Sequence, residues 1–190
     1  MYRSTDTHVY FLGGFFSQWA KTPFTGSVPL LRPSSSGPIL RPAGSLRFNC
    51  CEQFMMAGKA MVFNDQDAML AIMDAEHPAE QKKLGRTVKN FDQAIWEKVA
   101  RDIVYIGNFY KFAQHTASRD FLDESQQKII VEGADYDPVW GVKIAWDDPA
   151  IEDEANWKGT NWLGQCIMRV RDDLAVHGLN ADPWKLRKPW

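Results

Sequence analysis

The segment that most constrains the fold is residues 48–63, FNCCEQFMMAGKAMVF. Most of these residues favour a helix, and Asn49 can cap its first turn through the side-chain oxygen. Glu52 and Lys59 lie seven positions apart, so two helical turns of about 10 Å return both side chains to one face. They can converge on a group between them, and Gly58 allows a ligand or another backbone to come close. The alternative is an amphipathic helix whose Glu and Lys side chains are solvated.

Signals for further helices and for short strands follow one another along the chain. Apolar stripes, capping residues and Gly or Pro punctuation predict helices at about 66–74, 78–85, 93–107, 109–114 and 161–178. The pair Gly107-Asn108 is expected to separate the third of these helices from the fourth. Strand patterns are short and lie within residues 8–16 and 128–132. A chain of 190 residues with this pattern predicts a single α+β domain that is mainly helical, with a few short strands.

We expect the domain to occupy residues 1–178 and a basic, aromatic tail to occupy 179–190. The segment 25–47 is rich in Pro, Ser and Gly, so it is interpreted as a long loop that can include a hairpin. It contains no acidic residue, and its cations are Arg32, Arg41 and Arg47. A contact with phosphate and a plain solvated loop both fit this composition. The tail can equally pack on the domain or contact a partner.

Composition and residue spacing bear on location and on cofactors. The net charge of −2 provides no global attraction to nucleic acid or to membranes. The chain has no apolar run of 18 residues, so no membrane-spanning helix is expected. The N-terminus lacks the pattern of a secretion signal, which predicts a cytoplasmic protein. The three cysteines lack disulfide and zinc spacing and the four histidines are scattered, so we expect buried thiols, no metal and no cofactor.

Five sequence blocks occur in a recognisable order: EQFMMAGKAMVFND, HPAEQKKLGRTVKNFDQAIWEKVARDIV, NFYKFAQ, IVEGADYDPVWGV and NWKGTNWLGQCIMRVRDDL. The upstream FFSQWAKTPF is similar to an FSNFYPSPF-type opening. From about Phe11 to Leu174, the chain therefore resembles the NADAR superfamily, also called YbiA-like. It departs from the family pattern at FLDESQQKIIVE, where a Thr-Gly pair is usual, and in its longer, more basic segment 25–47. The resemblance implies a mainly helical α+β domain of the YbiA-like kind.

The resemblance also implies a hydrolase of the N-glycosidase class. The activity expected from it is removal of ADP-ribose from guanine in a nucleoside or nucleic acid, which would reverse ADP-ribosylation. One alternative is an N-glycosidase of phosphorylated intermediates of riboflavin biosynthesis. Another is a module that binds ADP-ribose or NAD without turnover, although the presence of both Glu52 and Lys59 favours an enzyme. The expected partner is thus an ADP-ribosylated nucleoside or nucleic acid, and no interaction with a membrane is expected.

Catalytic positions carried over from the family are Glu52, Lys59 and Asp137, with Trp140 in the same DPVWG stretch. Two mechanisms remain open. In one, Glu52 or Asp137 activates water for attack on a ribose with oxocarbenium character. In the other, the ribose ring opens and Lys59 forms a Schiff base with C1, which requires a neutral amine. The family resemblance favours the Schiff base.

Candidates for substrate binding surround these positions. Arg86 and Lys111 are expected to contact a diphosphate, and Trp140 is expected to stack on a base or ribose. Ser17 and Gln18 are expected to be polar contacts in the pocket wall. Trp96 matches a functional tryptophan of the family, although its helical periodicity places it in a core stripe. The alternatives are a helix-terminal charge for Arg86, a solvated Lys111, a core Trp140 and a loop hydroxyl for Ser17.

Overall fold

The computed structural model describes residues 1–32 and 39–190. Within these ranges the chain forms seven helices and five strands, which confirms a mainly helical α+β domain. The strands are β1 Tyr2–Ser4, β2 His8–Phe11, β3 Phe24–Arg32, β4 Ile39–Phe48 and β5 Ile129–Glu132. The helices are α1 Cys51–Val62, α2 Gln66–Asp74, α3 Pro78–Arg86, α4 Gln93–Gln114, α5 Thr116–Glu124, α6 Trp162–His177 and α7 Pro183–Leu186. In the same ranges, no helix has the length and apolarity that a membrane span requires.

Helix α1 lies at the centre of the domain. It packs against α2, α3, α4 and β3, and ten of its twelve residues are buried. The residue at its N-cap is Cys50, so the prediction that Asn49 caps this helix is wrong. The Asn49 side chain instead donates to the Glu76 carbonyl at 3.1 Å and accepts from Gln81 Nε2 at 3.1 Å. These bonds fix the start of α1 against the segment between α2 and α3.

A three-stranded sheet brings two distant parts of the chain together. Its order is β1-β2-β5, in which β1 is antiparallel to β2 and β5 is parallel to β2. The last residues of the two parallel strands, Phe11 and Glu132, are register partners. Because parallel strands end at the same edge of a sheet, the turn after β2 and the loop after β5 meet there. Such an edge is the usual place for a ligand in open sheets with parallel strands.

The segment 25–47 forms a β-hairpin over its described residues, so the prediction of a long loop is wrong and the hairpin that it allowed for is present. Strands β3 and β4 pair antiparallel, from Phe24 with Phe48 to Arg32 with Ile39. The centre of the segment, residues 33–38, lies outside the described residues. Pro is tolerated because a two-stranded sheet consists only of edge strands. The exposed side chains of the hairpin include Arg32, Arg41 and Arg47.

Helix α4 runs unbroken from Gln93 to Gln114, so the break predicted at Gly107-Asn108 is wrong. A Cβ atom at Gly107 would lie 2.7 Å from Cδ1 of Phe54, which shows that glycine lets α1 approach α4 closely. Asn108 Nδ2 donates to the Val104 carbonyl at 2.9 Å within the helix. Packing against α1 thus outweighs the cost of about 1 kcal/mol of a helical glycine.

Residues 179–190 pack on one side of α4. Trp184 is buried, and its Nε1 donates to the Tyr110 hydroxyl at 2.9 Å. Arg187 forms an ion pair with Asp102 at 3.1 Å, and Trp190 Nε1 donates to the same carboxylate at 2.8 Å. Of the two roles left open for the tail, the structure shows packing on the domain.

Candidate active site

A cavity of about 380 Å³ lies at the edge where β2 and β5 end. Its volume is in the range of small-molecule sites, about 300–1,000 Å³. The wall is formed by the turn after β2, by α1, α3 and α4, by the end of β5 with the loop that follows, and by Leu163 of α6. The polar lining consists of Ser17, Gln18, Glu52, Lys59, Lys82, Arg86, Glu132 and Asp137, and the aromatic lining of Trp19, Trp96, Tyr136 and Trp140.

Helix α1 contributes Glu52 and Lys59, which both line the cavity as their spacing predicts. Glu52 is only 5% exposed, which excludes a solvated side chain, and burial raises the pKa of its carboxyl to about 7. Lys59 is half-buried, and burial followed by the charge of Arg86 lowers the pKa of its amine. Near neutral pH, Glu52 can therefore take up or release a proton. Lys59 has a larger fraction of neutral amine than an exposed lysine.

Two aromatic rings lie close to the Lys59 amine. Its Nζ lies 4.1 Å from the ring centroid of Phe91 and 5.6 Å from that of Trp96. Trp96 is half-buried; it packs against the core, as its helical periodicity predicts, and it also lines the cavity. Arg86 and Lys82 lie one turn apart on α3 and both line the cavity. Their two charges can act together on an anion.

Glu132 is a functional candidate that the sequence pattern did not predict. It is the last residue of β5, and its backbone N–H donates to Asn161 Oδ1 at 3.1 Å. Its Oε2 is buried and has no hydrogen-bond partner among the described residues. Burial, followed by the charge of Asp137, raises the pKa of Glu132 to about 8. One feature of the sequence could have indicated Glu132: it is a carboxylate at the end of the clearest predicted strand, KIIVE.

The turn after β2 supplies a second unpaired polar side chain. Both amide atoms of Gln18, Nε2 and Oε1, are buried without a hydrogen-bond partner in the part of the chain that the structure describes. The Gln18 carbonyl accepts from the backbone N–H of Glu52 at 2.9 Å, which ties the turn to α1. The amide therefore offers one donor group and one acceptor to a ligand. Ser17 lines the same wall, and its hydroxyl also accepts from the Trp19 backbone at 3.1 Å.

The loop after β5 brings Asp137 and Trp140 to the cavity. Asp137 Oδ1 accepts from the backbone N–H groups of Val139 at 2.9 Å and Trp140 at 2.8 Å, so this carboxylate also shapes the loop. Trp140 is half-buried, with its ring edge-on to Trp162 at a centroid distance of 5.8 Å. Both predicted residues are thus in position to contact a ligand.

Lys111 and Gly58 do not line the cavity. Lys111 is fully buried, is not part of the cavity wall, and donates from Nζ to the Phe15 carbonyl at 2.9 Å. The structure therefore removes Lys111 from the candidate diphosphate contacts. At Gly58, a Cβ atom would lie 3.0 Å from Pro29 Cγ and 3.2 Å from Ile103 Cγ2. This glycine lets α1 approach the hairpin and α4, and it is not part of the cavity wall.

The arrangement combines the functional groups of acid–base, nucleophilic and anion-binding chemistry. Glu132 can donate a proton, Glu52 can accept one, Lys59 can act as a nucleophile, and Arg86 with Lys82 can hold an anion. The three cysteines are buried and free, as predicted. Over residues 1–32 and 39–190, no group of three or more His, Cys, Asp or Glu side chains is placed to hold a metal ion.

Comparisons with known proteins identify relatives of this chain. The model of the NADAR domain matches residues 7–175. N-glycosidase R617 of Acanthamoeba polyphaga mimivirus is 32% identical over 177 residues, which cover 89% of this chain and 97% of that protein. Protein irg-1 of Caenorhabditis elegans is 33% identical over 131 residues, 68% of this chain and 62% of irg-1, so the match spans less than two thirds of its length. The NMR structure of the E. coli protein YbiA shares the fold, with a TM-score of 0.66 and 22% identity over 95% of this chain and 92% of that chain.

Proposed function

This chain belongs to the NADAR domain family, and on that premise we propose that it is an N-glycosidase, which hydrolyses the bond between a base and ribose. The observation that carries the proposal is the meeting of Glu52, Lys59 and Glu132 in one cavity. Breaking an N-glycosidic bond requires an acid and a group that meets the ribose C1. The two carboxyls, with pKa values of about 7 and about 8, and the amine with its lowered pKa suit these tasks near neutral pH.

We propose that the substrate is guanine that carries ADP-ribose, in a nucleoside or in nucleic acid. Arg86 and Lys82 place two positive charges on the cavity wall, which suits a diphosphate. Trp140 offers an aromatic surface to a base or ribose, and the unpaired Gln18 amide suits the polar edge of a base. The same two cations suit the phosphate of a riboflavin-pathway intermediate, so that compound is the competing substrate to test.

In the mechanism that we propose, Lys59 forms a Schiff base with the ribose. The C1–O4 bond opens, its electron pair moves to O4, and O4 takes the Glu132 proton. Lys59 Nζ then adds to C1, and the base leaves with a proton given up by Nζ. Water deprotonated by Glu52 hydrolyses the resulting imine, which releases the sugar aldehyde and restores the amine. Exchange with solvent then returns a proton from Glu52 to Glu132. Only a neutral amine can attack, so the lowered pKa of Lys59 supports this scheme.

A release assay tests the reaction and its substrate. The protein is incubated separately with ADP-ribosylated guanosine, ADP-ribosylated DNA and the phosphorylated riboflavin intermediate, and the products are separated by chromatography. We expect release of ADP-ribose from both guanine conjugates. Release from the riboflavin intermediate alone would replace the proposed substrate. Binding of the conjugates without release from any compound would replace the enzyme by a binding module.

Borohydride trapping tests the role of Lys59. Reduction during turnover should fix the ribose moiety to the protein, and mass spectrometry should locate the adduct at Lys59. Lys59→Arg should give neither adduct nor product because guanidinium stays protonated. The matched control is Lys83→Met, which removes an exposed lysine of α3 outside the cavity wall and should retain both. An active Lys59→Arg enzyme would reject the covalent scheme in favour of water activated by Glu52 or Asp137.

A further inference from the structure

A second groove, here called the Arg101 groove, lies between α4, the first residue of α6 and the C-terminal tail. Its volume is about 800 Å³. Its charged lining consists of Lys98, Arg101, Arg187, Lys188, Glu97 and Asp102. One cation and one carboxylate of this set are already joined, because Arg187 pairs with Asp102 at 3.1 Å. The charge that remains for a ligand is therefore predominantly positive.

Arg101 lies close to the rings of two tryptophans and has no charged partner among the described residues. Its Cζ lies 4.5 Å from the ring centroid of Trp162 and 5.1 Å from that of Trp190. Its Nε is buried without a hydrogen-bond partner in the described ranges, and no ion pair found there includes Arg101. A guanidinium over an aromatic ring keeps N–H groups at its edge, where an anion can accept two of them. A partly desolvated, unpaired guanidinium favours such an anion.

The groove adjoins the catalytic cavity. Trp162 lines the groove, Trp140 lines the cavity, and their rings are in contact at 5.8 Å between centroids. The groove also uses residues outside the span matched by the family model, because Lys188 and Trp190 follow residue 175. The tail of this chain therefore adds a cationic surface beside a site that the NADAR domain already contains.

We propose that the Arg101 groove binds the phosphates of a single-stranded nucleic acid whose modified base occupies the catalytic cavity. The inference rests on the proposed N-glycosidase function, because a base and ribose in the cavity place the neighbouring phosphates of the same strand at its rim. A strand fits better than an acidic peptide, since a phosphate presents paired oxygens to a guanidinium and continues from a nucleotide already bound. The overall charge of −2 means that this attraction is local to the groove.

Binding of an unmodified single-stranded oligonucleotide tests the groove independently of catalysis. Fluorescence anisotropy over a range of salt concentrations compares the wild type with Arg101→Gln. We expect Arg101→Gln to bind about tenfold more weakly at low salt, because one charge-assisted contact is lost. The slope of log affinity against log salt should become shallower by about 0.7, as for one phosphate on a single strand. Arg119→Gln is the matched control. It removes the same charge from α5, where Arg119 donates to the Ala113 carbonyl. The affinity of this variant for the oligonucleotide should stay within about twofold of the wild type.

Further measurements distinguish the possible sources of the anion and control for misfolding of the variant. Hydrolysis of ADP-ribosylated oligonucleotide should fall about tenfold more in Arg101→Gln than hydrolysis of ADP-ribosylated guanosine. An equal fall on both would assign Arg101 to the diphosphate and overturn the strand proposal. So would absence of oligonucleotide binding by the wild type, equal losses in both arginine variants, or displacement of the oligonucleotide by polyglutamate at equal charge. If thermal melting shows that Arg101→Gln is unfolded, Arg101→Lys and Lys188→Gln take its place, and normal binding by both would overturn the proposal.

Discussion

Replacing Glu132 by Gln should remove a pH-dependent loss of stability from this protein. Burial and the charge of Asp137 raise the pKa of Glu132 from its ordinary value of 4.5 to about 8. Between these pH values the folded protein keeps a proton that the unfolded chain has released. The folded state therefore binds more protons, and the free energy of unfolding falls as the pH rises. Gln has nearly the same shape and stays neutral throughout this range.

The magnitude follows from the size of the pKa change. At about 1.36 kcal/mol per pKa unit, Glu132 costs the wild type roughly 3 kcal/mol between about pH 5.5 and about pH 8.5. The full cost of roughly 5 kcal/mol is reached only above pH 8. Glu52 acts in the same direction, with its pKa raised from 4.5 to about 7, and its charge also raises the pKa of Glu132. The effects of Glu132→Gln and Glu52→Gln on stability are therefore not expected to add.

Urea unfolding followed by tryptophan fluorescence measures this difference. Unfolding is measured at about pH 5.5 and at about pH 8.5. Between these two pH values, the free energy of unfolding should fall by roughly 3 kcal/mol less in Glu132→Gln than in the wild type. Asp135→Asn is the control, because it neutralises an exposed carboxylate three residues along the same loop and should follow the wild-type pH dependence. Parallel curves for the wild type and Glu132→Gln would show that this carboxyl is already ionised in the folded protein. That result would refute its role as proton donor.

The same variant tests catalysis. Turnover should fall by about 10²–10⁴-fold, the usual contribution of a general acid. In the wild type, kcat/KM should decline above about pH 8, where Glu132 loses its proton. This alkaline decline should be absent from the residual activity of Glu132→Gln. A decline that persists unchanged in the variant would assign it to another group.

Three further variants test other parts of the structure. Trp140→Ala should reduce turnover and ligand affinity. Because Trp140 is only half-buried, it should cost less stability than the ~3–5 kcal/mol of a core Trp truncation. A loss in that range, measured by denaturant unfolding, would identify Trp140 as a core residue. Gly107→Ala should destabilise by about 1–3 kcal/mol, because its methyl group would meet the Phe54 ring; an unchanged melting temperature would contradict this packing. Replacing the three hairpin arginines by Ala should weaken polynucleotide binding and its salt dependence more than it affects a free nucleoside conjugate, whereas equal effects on both would reject a phosphate contact by Arg32, Arg41 and Arg47.

Local pattern predicted the parts of the site that lie on one element. Glu52 and Lys59 share a helix face because seven residues are close to two turns, whatever surrounds the helix. The strand at 129–132 and most helices follow in the same way from apolar periodicity and punctuation. The errors occur where packing overrides local preference. Helix α4 continues through Gly107 because α1 packs there, and the described residues of the Pro-rich segment 25–47 pair as antiparallel strands.

The sequence by itself determined the fold class, the helix that carries Glu52 and Lys59, and membership of the family, because these depend on residue order and spacing along the chain. Only the tertiary structure decided which charged groups face one another. It placed Glu132 in the cavity and Lys111 outside it, through the parallel pairing of β2 with β5 and the complete burial of Lys111. The physical reason is that the protonation and reach of a side chain depend on desolvation and on neighbouring charges. Both are set by elements that are distant in sequence and meet only in the folded domain.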